Sequence, residues 1–316
     1  MIRDNNIKLG EVAEFRNGVN YNENNFGTGI KIINVANFKD YSKPNYEELS
    51  EINPNDLIKE DDLLQNGDIV FVRSNGNKNL IGRTLYIDEI ENDLTYSAFC
   101  IRARFTSKEC NPRFYAYLFK TNLIRQILSS QGNGTNISNL NQKILNNLVV
   151  PKPSMKKQNK IVSILSKYDD LIENNTNRIK LLEESIDLIY KEWFVNLRFP
   201  EYENSEIIDG IPKEWNKTEL GEFFPIITGK KNANISCDRG KYKFFTCAQQ
   251  ASQCNEYSFE DTAILLAGNG EFNVKYYSGK FEAYQRTYVL IPYNKEYNLY
   301  LYQCIKYSLP QMTNGS

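Results

Sequence analysis

The sequence predicts an α+β protein made of two repeated mixed α/β domains separated by a long coiled-coil helix. Three observations predict it. A Leu-Gly-Glu signature occurs twice, in "IKLGEVAEFRNG" (Ile7–Gly18) and in "IPKEWNKTELGEFFPIITG" (from Ile211), about 211 residues apart. An uninterrupted heptad pattern lies between the copies. The length of 316 residues suits two domains joined by a connector. The expected boundaries are 1–150 for the first domain, 151–200 for the spacer helix and 201–316 for the second domain.

In the first domain, "NGDIVFVRSNGNKNLIGRTLYI" predicts a turn at Asn66-Gly67, a buried strand over Ile69–Val72, a polar loop, and a second strand over Thr84–Ile87. An amphipathic helix is expected from Phe114 to Leu128. After a Gly-Asn-Gly turn, Ser138 is placed to cap a short helix that leads into strand-like "NLVVPKP". The second domain has a parallel passage from Asp261 to Pro292, in which an apolar strand, Gly-Asn-Gly and aromatic strands follow in order. "GDIVFVRSNGN" aligns with "DTAILLAGNGE" at an offset of about 193. "TNGS" at the end of the sequence corresponds to "GNGT" of the first domain. The second domain is therefore expected to be incomplete at its C-terminal side.

Between the copies, Ile161, Leu165, Tyr168, Ile172, Asn175, Ile179, Leu182, Ile186, Ile189 and Trp193 alternate in steps of 4 and 3. That is the a/d pattern of a coiled-coil seam, with one polar member at Asn175. No Pro or Gly interrupts it. Pro151 and Pro153 precede it and Pro200 follows it. Some 33 helical residues make a rod of roughly 50 Å. A stripe this narrow fits a partner helix better than a globular face; packing of the helix on its own domain is the other reading.

Composition excludes several functions. The chain has no histidine, which removes Ser-His-Asp and Cys-His catalysis. Its six cysteines (100, 110, 237, 247, 254, 304) form no C-x-x-C pair, so no zinc site is expected and free, mostly buried thiols are. No paired-carboxylate constellation stands out. No run of 18 apolar residues and no apolar leader is present, and the expected location is the cytoplasm, with no membrane partner.

The net charge of −1 hides a segregated distribution. Residues 40–62 carry eight acids and two lysines, residues 102–125 six basic side chains and one acid, and residues 226–247 five basic and one acid. A basic face in each repeat suits phosphate binding, although solvated surface gives the same pattern. The loop after the first strand supplies Arg73, Ser74, Asn75, Asn77, Lys78 and Arg83. These types match guanine, adenine and phosphate, and equally a polar Asn-Gly loop. The candidate DNA contacts are these six with Arg102, Arg104, Lys230, Lys231, Lys243 and Asn269. No catalytic and no metal-binding residue is assigned.

The matched elements resemble the specificity (S) subunit of type I restriction-modification systems. The resemblance is carried by Leu9, Gly10, Glu11, Gly67, Asp68, Ile69, Gly134, Thr135, Pro151, Pro153, Gln158, Ile161, Ile211, Pro212, Trp215, Leu220 and Gly221, in order along nearly the whole chain. It implies two target-recognition domains that each read half of a split double-stranded DNA sequence. It implies a helical spacer between them, and docking to methyltransferase (M) and restriction (R) subunits in phage defence. It also implies a non-catalytic chain: S-adenosylmethionine, ATP and Mg would belong to partner subunits, and no cofactor to this one. No N-P-P-[YF] motif of adenine methyltransferases is present, in agreement. Members of the family end in a second helix that pairs with the first. No such helix follows in this sequence: either the sequence is truncated, or the seam is completed by another chain, a second copy or a partner subunit. The rival functions are a DNA-independent assembly scaffold and a methyltransferase or nuclease with a fused recognition domain.

Overall fold

The computed structural model describes residues 5–38, 43–54, 58–130 and 140–313. It divides into two compact units, residues 1–175 and 176–316. The boundary falls inside the long helix, so that each unit carries part of it.

Unit 1 holds strands β1 (Asn5–Lys8), β2 (Ala13–Asn17), β3 (Phe26–Ile33), β4 (Ser50–Ile52), β5 (Ile69–Val72), β6 (Thr84–Tyr86), β7 (Leu94–Tyr96), β8 (Cys100–Phe105) and β9 (Val149–Lys152). Helices α1 (Pro112–Phe119), α2 (Asn122–Ser130) and α3 (Gln142–Asn147) precede β9, and α4 (Met155–Tyr190) follows it. One sheet has the order β2-β8-β5-β6 and another β4-β3-β7, while β1 pairs with β9. Strand β5 is covered on both faces. Ile69 and Phe71 point to the helical side with Tyr115, Phe119 and Leu128, and Val70 and Val72 point to the opposite side with Leu85, Tyr96 and Cys100. Phe71 and Phe119 are fully buried with ring centroids 5.0 Å apart, worth about 2–3 kcal/mol each in apolar burial.

Unit 2 adds β10 (Ile207–Ile208), β11 (Ile211–Pro212), β12 (Ile226–Thr228), β13 (Tyr242–Phe245), β14 (Ser252–Cys254), β15 (Phe259–Ala267), β16 (Val274–Ala283), β17 (Thr287–Leu290) and α5 (Asn298–Thr313). Its main sheet runs β12-β17-β15-β16-β13-β14. This is the unit 1 arrangement in one piece. β12 stands for β2, β17 for β8, β15 for β5, β13 for β3 and β14 for β4. β16 replaces β6 and β7 together, pairing antiparallel with β15 along its length and parallel with β13 at its end. In unit 1 the segment between Tyr86 and Leu94 interrupts that strand, and the sheet splits there.

The pairing register fixes the correspondence. Val72 lies opposite Cys100 and Ala267 opposite Thr287, while Asn17 lies opposite Ile101 and Thr228 opposite Tyr288. Asn17 therefore matches Thr228, and Leu9 matches Leu220, both at an offset of 211. The strand passage matches at 195, not near 193, because Val72 falls on Ala267. Side-chain direction agrees: Ile264 joins Leu301 and Ile305 under α5, and Leu265 faces Phe281 and Val289 on the other side.

Two local expectations change. The helix expected over Phe114–Leu128 is two helices. Asn111 caps α1 and Pro112 opens it, and the chain breaks at Lys120-Thr121, where the Thr121 hydroxyl donates to the carbonyl of Leu118. Ser138, with Gly134 and Thr135, lies outside the described residues; α3 is capped by Asn141, whose side chain accepts from the Ile144 amide at 2.9 Å.

Helix α4 is 36 residues long, about 54 Å, and ends in a π-helical turn over Lys191–Val195. Within unit 1 its start is locked by Gln158, fully buried. The Asn111 amide donates to Gln158 Oε1 at 2.8 Å, and Gln158 Nε2 donates to the carbonyls of Pro153 (2.7 Å) and Glu109 (3.0 Å). Ile161 and Val162 rest on the unit 1 core, and Tyr117 donates to Asp169. Within unit 2 its end meets α5: Lys306 pairs with Asp187 at 2.7 Å, and Phe194 packs on Tyr300 and Trp215.

Most of the heptad stripe is exposed. Tyr168 is 63% exposed, Ile179 57% and Leu182 61%, with Leu165, Ile172, Ile189 and Trp193 also exposed; Asn175 is exposed and Ile186 half-buried. Ile161 is the member seated on its own unit. Ile164, Leu171, Leu181 and Leu188 widen the apolar surface. Among the described residues, no helix is long and apolar enough to cross a membrane.

Candidate nucleic-acid interface

The candidate site is best built from one turn that occurs in both units. In unit 1, Ser97-Ala98-Phe99-Cys100 links β7 to β8 and closes with the Cys100 amide donating to the Ser97 carbonyl at 2.8 Å. In unit 2, Tyr284-Gln285-Arg286-Thr287 links β16 to β17 and closes the same way at 2.8 Å. Four further backbone bonds, common to both turns, come from three neighbouring segments. The Ser97 amide donates to Ile33 (3.0 Å), Ala98 to Val19 (2.8 Å), Gly18 to Cys100 (3.3 Å) and Arg73 to Phe99 (2.8 Å). Their counterparts are Tyr284 to Phe245 (2.9 Å), Gln285 to Lys231 (3.0 Å), Gly229 to Thr287 (3.1 Å) and Gly268 to Arg286 (2.9 Å).

Both anchors require glycine. A methyl group on Gly18 would overlap the carbonyl oxygens of Tyr96 and Ser97, and one on Gly229 those of Ala283 and Tyr284. The close approach is backbone against backbone, so no side-chain rotation relieves it.

The structure brings several predicted residues to this end of the sheet. Arg73 and Ser74 leave β5 beside the turn; Arg73 Nη1 donates to the Ala98 carbonyl at 3.2 Å, and the Ser74 amide donates to Phe99 at 3.3 Å. Asn75 and Asn77 shape the loop, each accepting from the amide two residues on (2.8 and 3.0 Å). The side chain of Lys78 lies outside the described part of the chain. Arg83 donates to the Phe38 carbonyl. Arg125, on α2, pins the loop further by donating to Ile81 (2.9 Å) and Asn79 (2.8 Å); burial, then the charge of Arg83, lowers its pKa. In unit 2, Lys230 is exposed beside Lys231, which is ion-paired to Glu256 at 2.9 Å; Lys243 is exposed two residues before Phe245. Asn269 is exposed next to Gly268 and bonds its own loop through the Gly270 amide.

Arg102 and Arg104 must be withdrawn from the interface. They alternate along β8 on one face, and that face turns inward. Arg102 is 6% exposed and donates to the Asp61 carbonyl at 2.9 Å; its counterpart in unit 2 is the core residue Val289. Arg104 forms a forked pair with Asp68, at 2.8 and 2.7 Å, and Asp68 is 1% exposed. That hydrogen bond raises the Arg104 pKa. Arg16 similarly holds Asp62 at 2.8 Å. The two arginines of β8 are thus engaged inside unit 1, Arg104 by Asp68 and Arg102 by the Asp61 carbonyl, and do not define a DNA face.

Sequence reasoning missed the tips of the turns. Phe99 is 60% exposed, and Gln285 and Arg286 are both exposed. An open cleft of 510 Å³ adjoins the unit 1 anchor, with Asn17, Asn20 and Gln142 in its lining. Three cysteines (100, 110, 254) are buried and three (237, 247, 304) half-buried, all with free thiols. Among the described residues no group of three or more Cys, Asp or Glu is gathered as a metal site.

The sequence profile described as "Type I restriction modification DNA specificity domain" matches residues 4–184 and 212–316. The chain is 52% identical over 82 residues to the type I restriction enzyme EcoDI specificity subunit of Escherichia coli, covering 26% of this chain and 18% of that protein. It is 27% identical over 244 residues to the putative type I restriction enzyme MjaX specificity subunit of Methanocaldococcus jannaschii, covering 73% of this chain and 56% of that protein. The chain thus spans about half the length of such relatives, or less. Among solved structures, the type I restriction-modification S subunit from M. genitalium shares the fold. Its TM-score is 0.58 at 16% identity, over 99% of this chain and 80% of that one.

Proposed function

The chain belongs to the type I restriction-modification DNA specificity family, and we propose that it selects the DNA target of a type I complex. Each unit would read one half of a bipartite sequence, with α4 setting the distance between the halves. M subunits would methylate adenine at the chosen site and an R subunit would cleave unmodified DNA. S-adenosylmethionine, ATP and Mg belong on those subunits in this scheme. The proposed domain division keeps 151–200 as the spacer.

The observation that carries the proposal is the duplicated sheet with its duplicated anchored turn. One scaffold present twice in a chain suits a ligand with two separated half-sites. A pure scaffold would have no use for two equivalent turns whose tips differ in chemistry. The contacts we assign are Arg73, Ser74, Asn75, Asn77, Lys78 and Arg83 in unit 1, and Lys230, Lys231, Lys243 and Asn269 in unit 2. We further propose that the exposed a/d stripe of α4 pairs with another helix, from a second copy or a partner subunit. Leaving Tyr168, Ile179 and Leu182 in water forfeits about 1–2 kcal/mol each relative to burial.

Duplex binding at increasing salt tests the DNA function. Phosphate contacts give a steep negative slope of log K against log salt, roughly −0.9 per contact. A chain that binds duplex with no salt dependence, or not at all in complex with its M subunits, refutes it.

A further inference from the structure

We propose that the two anchored turns are the base-reading elements, and that their tip residues, Phe99 in unit 1 and Gln285 with Arg286 in unit 2, set the two half-site sequences. The proposal rests on the DNA-specificity function above and adds the residues that read. The equivalence of the turns is in the backbone: five hydrogen bonds common to both, in the same order, and a glycine packed against each that tolerates no side chain. Nothing in that equivalence depends on the tip side chains. The tips can therefore change without disturbing the fold, as a specificity position requires.

The tips differ in the way two half-sites would demand. Arg286 presents a planar fork of donors, which suits guanine O6 and N7. Gln285 presents an amide, which suits adenine N6 and N7. Among the described residues, the contacts at this position are made by backbone: the Arg286 carbonyl accepts from the Gly268 amide and from Cys247 Sγ. Lys230 and Asn269 stand exposed on two of the three segments that hold the turn, positioned for phosphate and for a second base edge.

Phe99 has no hydrogen-bonding group. Its ring is 60% exposed on a turn held by backbone bonds, so it is presented to a ligand in a fixed place. Against DNA, it would contact a thymine methyl or enter a base step as a wedge. The adjoining cleft supplies the polar partners that Phe99 lacks, through Asn17, Asn20 and Gln142. Unit 1 is thus built to combine an apolar contact with amide readers, and unit 2 to read by Arg and Gln at the tip itself.

The test is methylome sequencing of a methylation-free host that carries the chain with its M subunits, comparing wild type, Arg286→Ala, Arg286→Lys, Gln285→Ala and Phe99→Ala. Arg286→Ala should relax one guanine position, in one half-site alone, by about tenfold or more. Arg286→Lys should relax it too, because an ammonium keeps the charge and loses the fork. Phe99→Ala should alter the other half-site alone. An unfolding midpoint equal to wild type establishes that each variant is folded. If folded Arg286→Ala keeps the wild-type target, or Arg286→Lys restores it in full, the turn is at most a phosphate contact and the proposal is overturned. Loss of both half-sites together in a folded variant overturns it as well. A wild-type chain that directs no sequence-specific methylation refutes the underlying DNA-specificity function instead, so the two failures are told apart.

Discussion

Two copies of Leu-Gly-Glu sit in the same short 3-10 turn, Leu9–Glu11 and Leu220–Glu222, yet their surroundings differ. Leu9 is fully buried and its amide donates to Leu148 at 2.8 Å; Gly10 lies against α3, where an added Cβ would be 3.1 Å from the Asn146 Cα and would overlap its side chain. Leu220 is half-buried, and nothing lies within 4 Å of a Cβ on Gly221. At the far end of the same sheets the two units agree instead: Gly18 and Gly229 face equivalent carbonyls. The sheet and its anchored turn are thus common to both copies, whereas the α3–β9 cover is described in unit 1 alone. Sequence likeness at Leu-Gly-Glu marks a shared position in the fold, and the packing that surrounds it differs.

The largest effect that would sharpen this comparison lies on β8. Arg104→Ala leaves Asp68 buried and without its forked partner, at a cost of about 3 kcal/mol in urea unfolding. The matching position in unit 2 is Ile291, where truncation to Ala removes only half-buried apolar area, about 1 kcal/mol. Equal costs would mean that the inward arginine is dispensable to unit 1.

Next come the anchors. Gly18→Ala and Gly229→Ala should each destabilise their own unit by about 2–3 kcal/mol, because overlap with backbone forces the strand ends apart. A neutral result at either glycine would break the equivalence of the two turns. The Leu-Gly-Glu glycines should diverge. Gly10→Ala should cost about 1–2 kcal/mol, the Asn146 side chain yielding but its backbone not, while Gly221→Ala should stay within about 0.5 kcal/mol of wild type. The smallest effect on unit stability is expected on α4. Replacing Asn175 and Ile179 with Glu should leave both units folded, since these side chains are exposed, and should lower the mass of any assembly in sedimentation; an unchanged mass and helix content would sink the pairing proposal.

Much of this was legible in the residues. The 4-3 heptad gave the long helix because nothing interrupts it, and it also marked the face left in water. The run of four apolar residues located β5 at Ile69–Val72 to the residue. The repeat was visible, although its strand register was off, since apolar runs slide against one another and only the ladder bonds pin Val72 to Ala267. The candidate site was less legible. Arg102 and Arg104 counted as a basic patch because a linear charge count cannot tell which strand face a side chain takes. Phe99 and Arg286 escaped notice because what distinguishes them is a cage of backbone bonds from segments distant in the chain, and backbone atoms carry no sequence signature.

The central claim is that α4 holds two copies of one reading scaffold at a set distance. Insertion of one heptad after Arg178 tests it most directly, with the methylated target as the readout. Seven residues add about 10.5 Å, or about 3 bp, and preserve the helix face. Both half-site sequences should persist while the spacer between them lengthens by about 3 bp. An unchanged spacer, or a target without two halves, would contradict the claim.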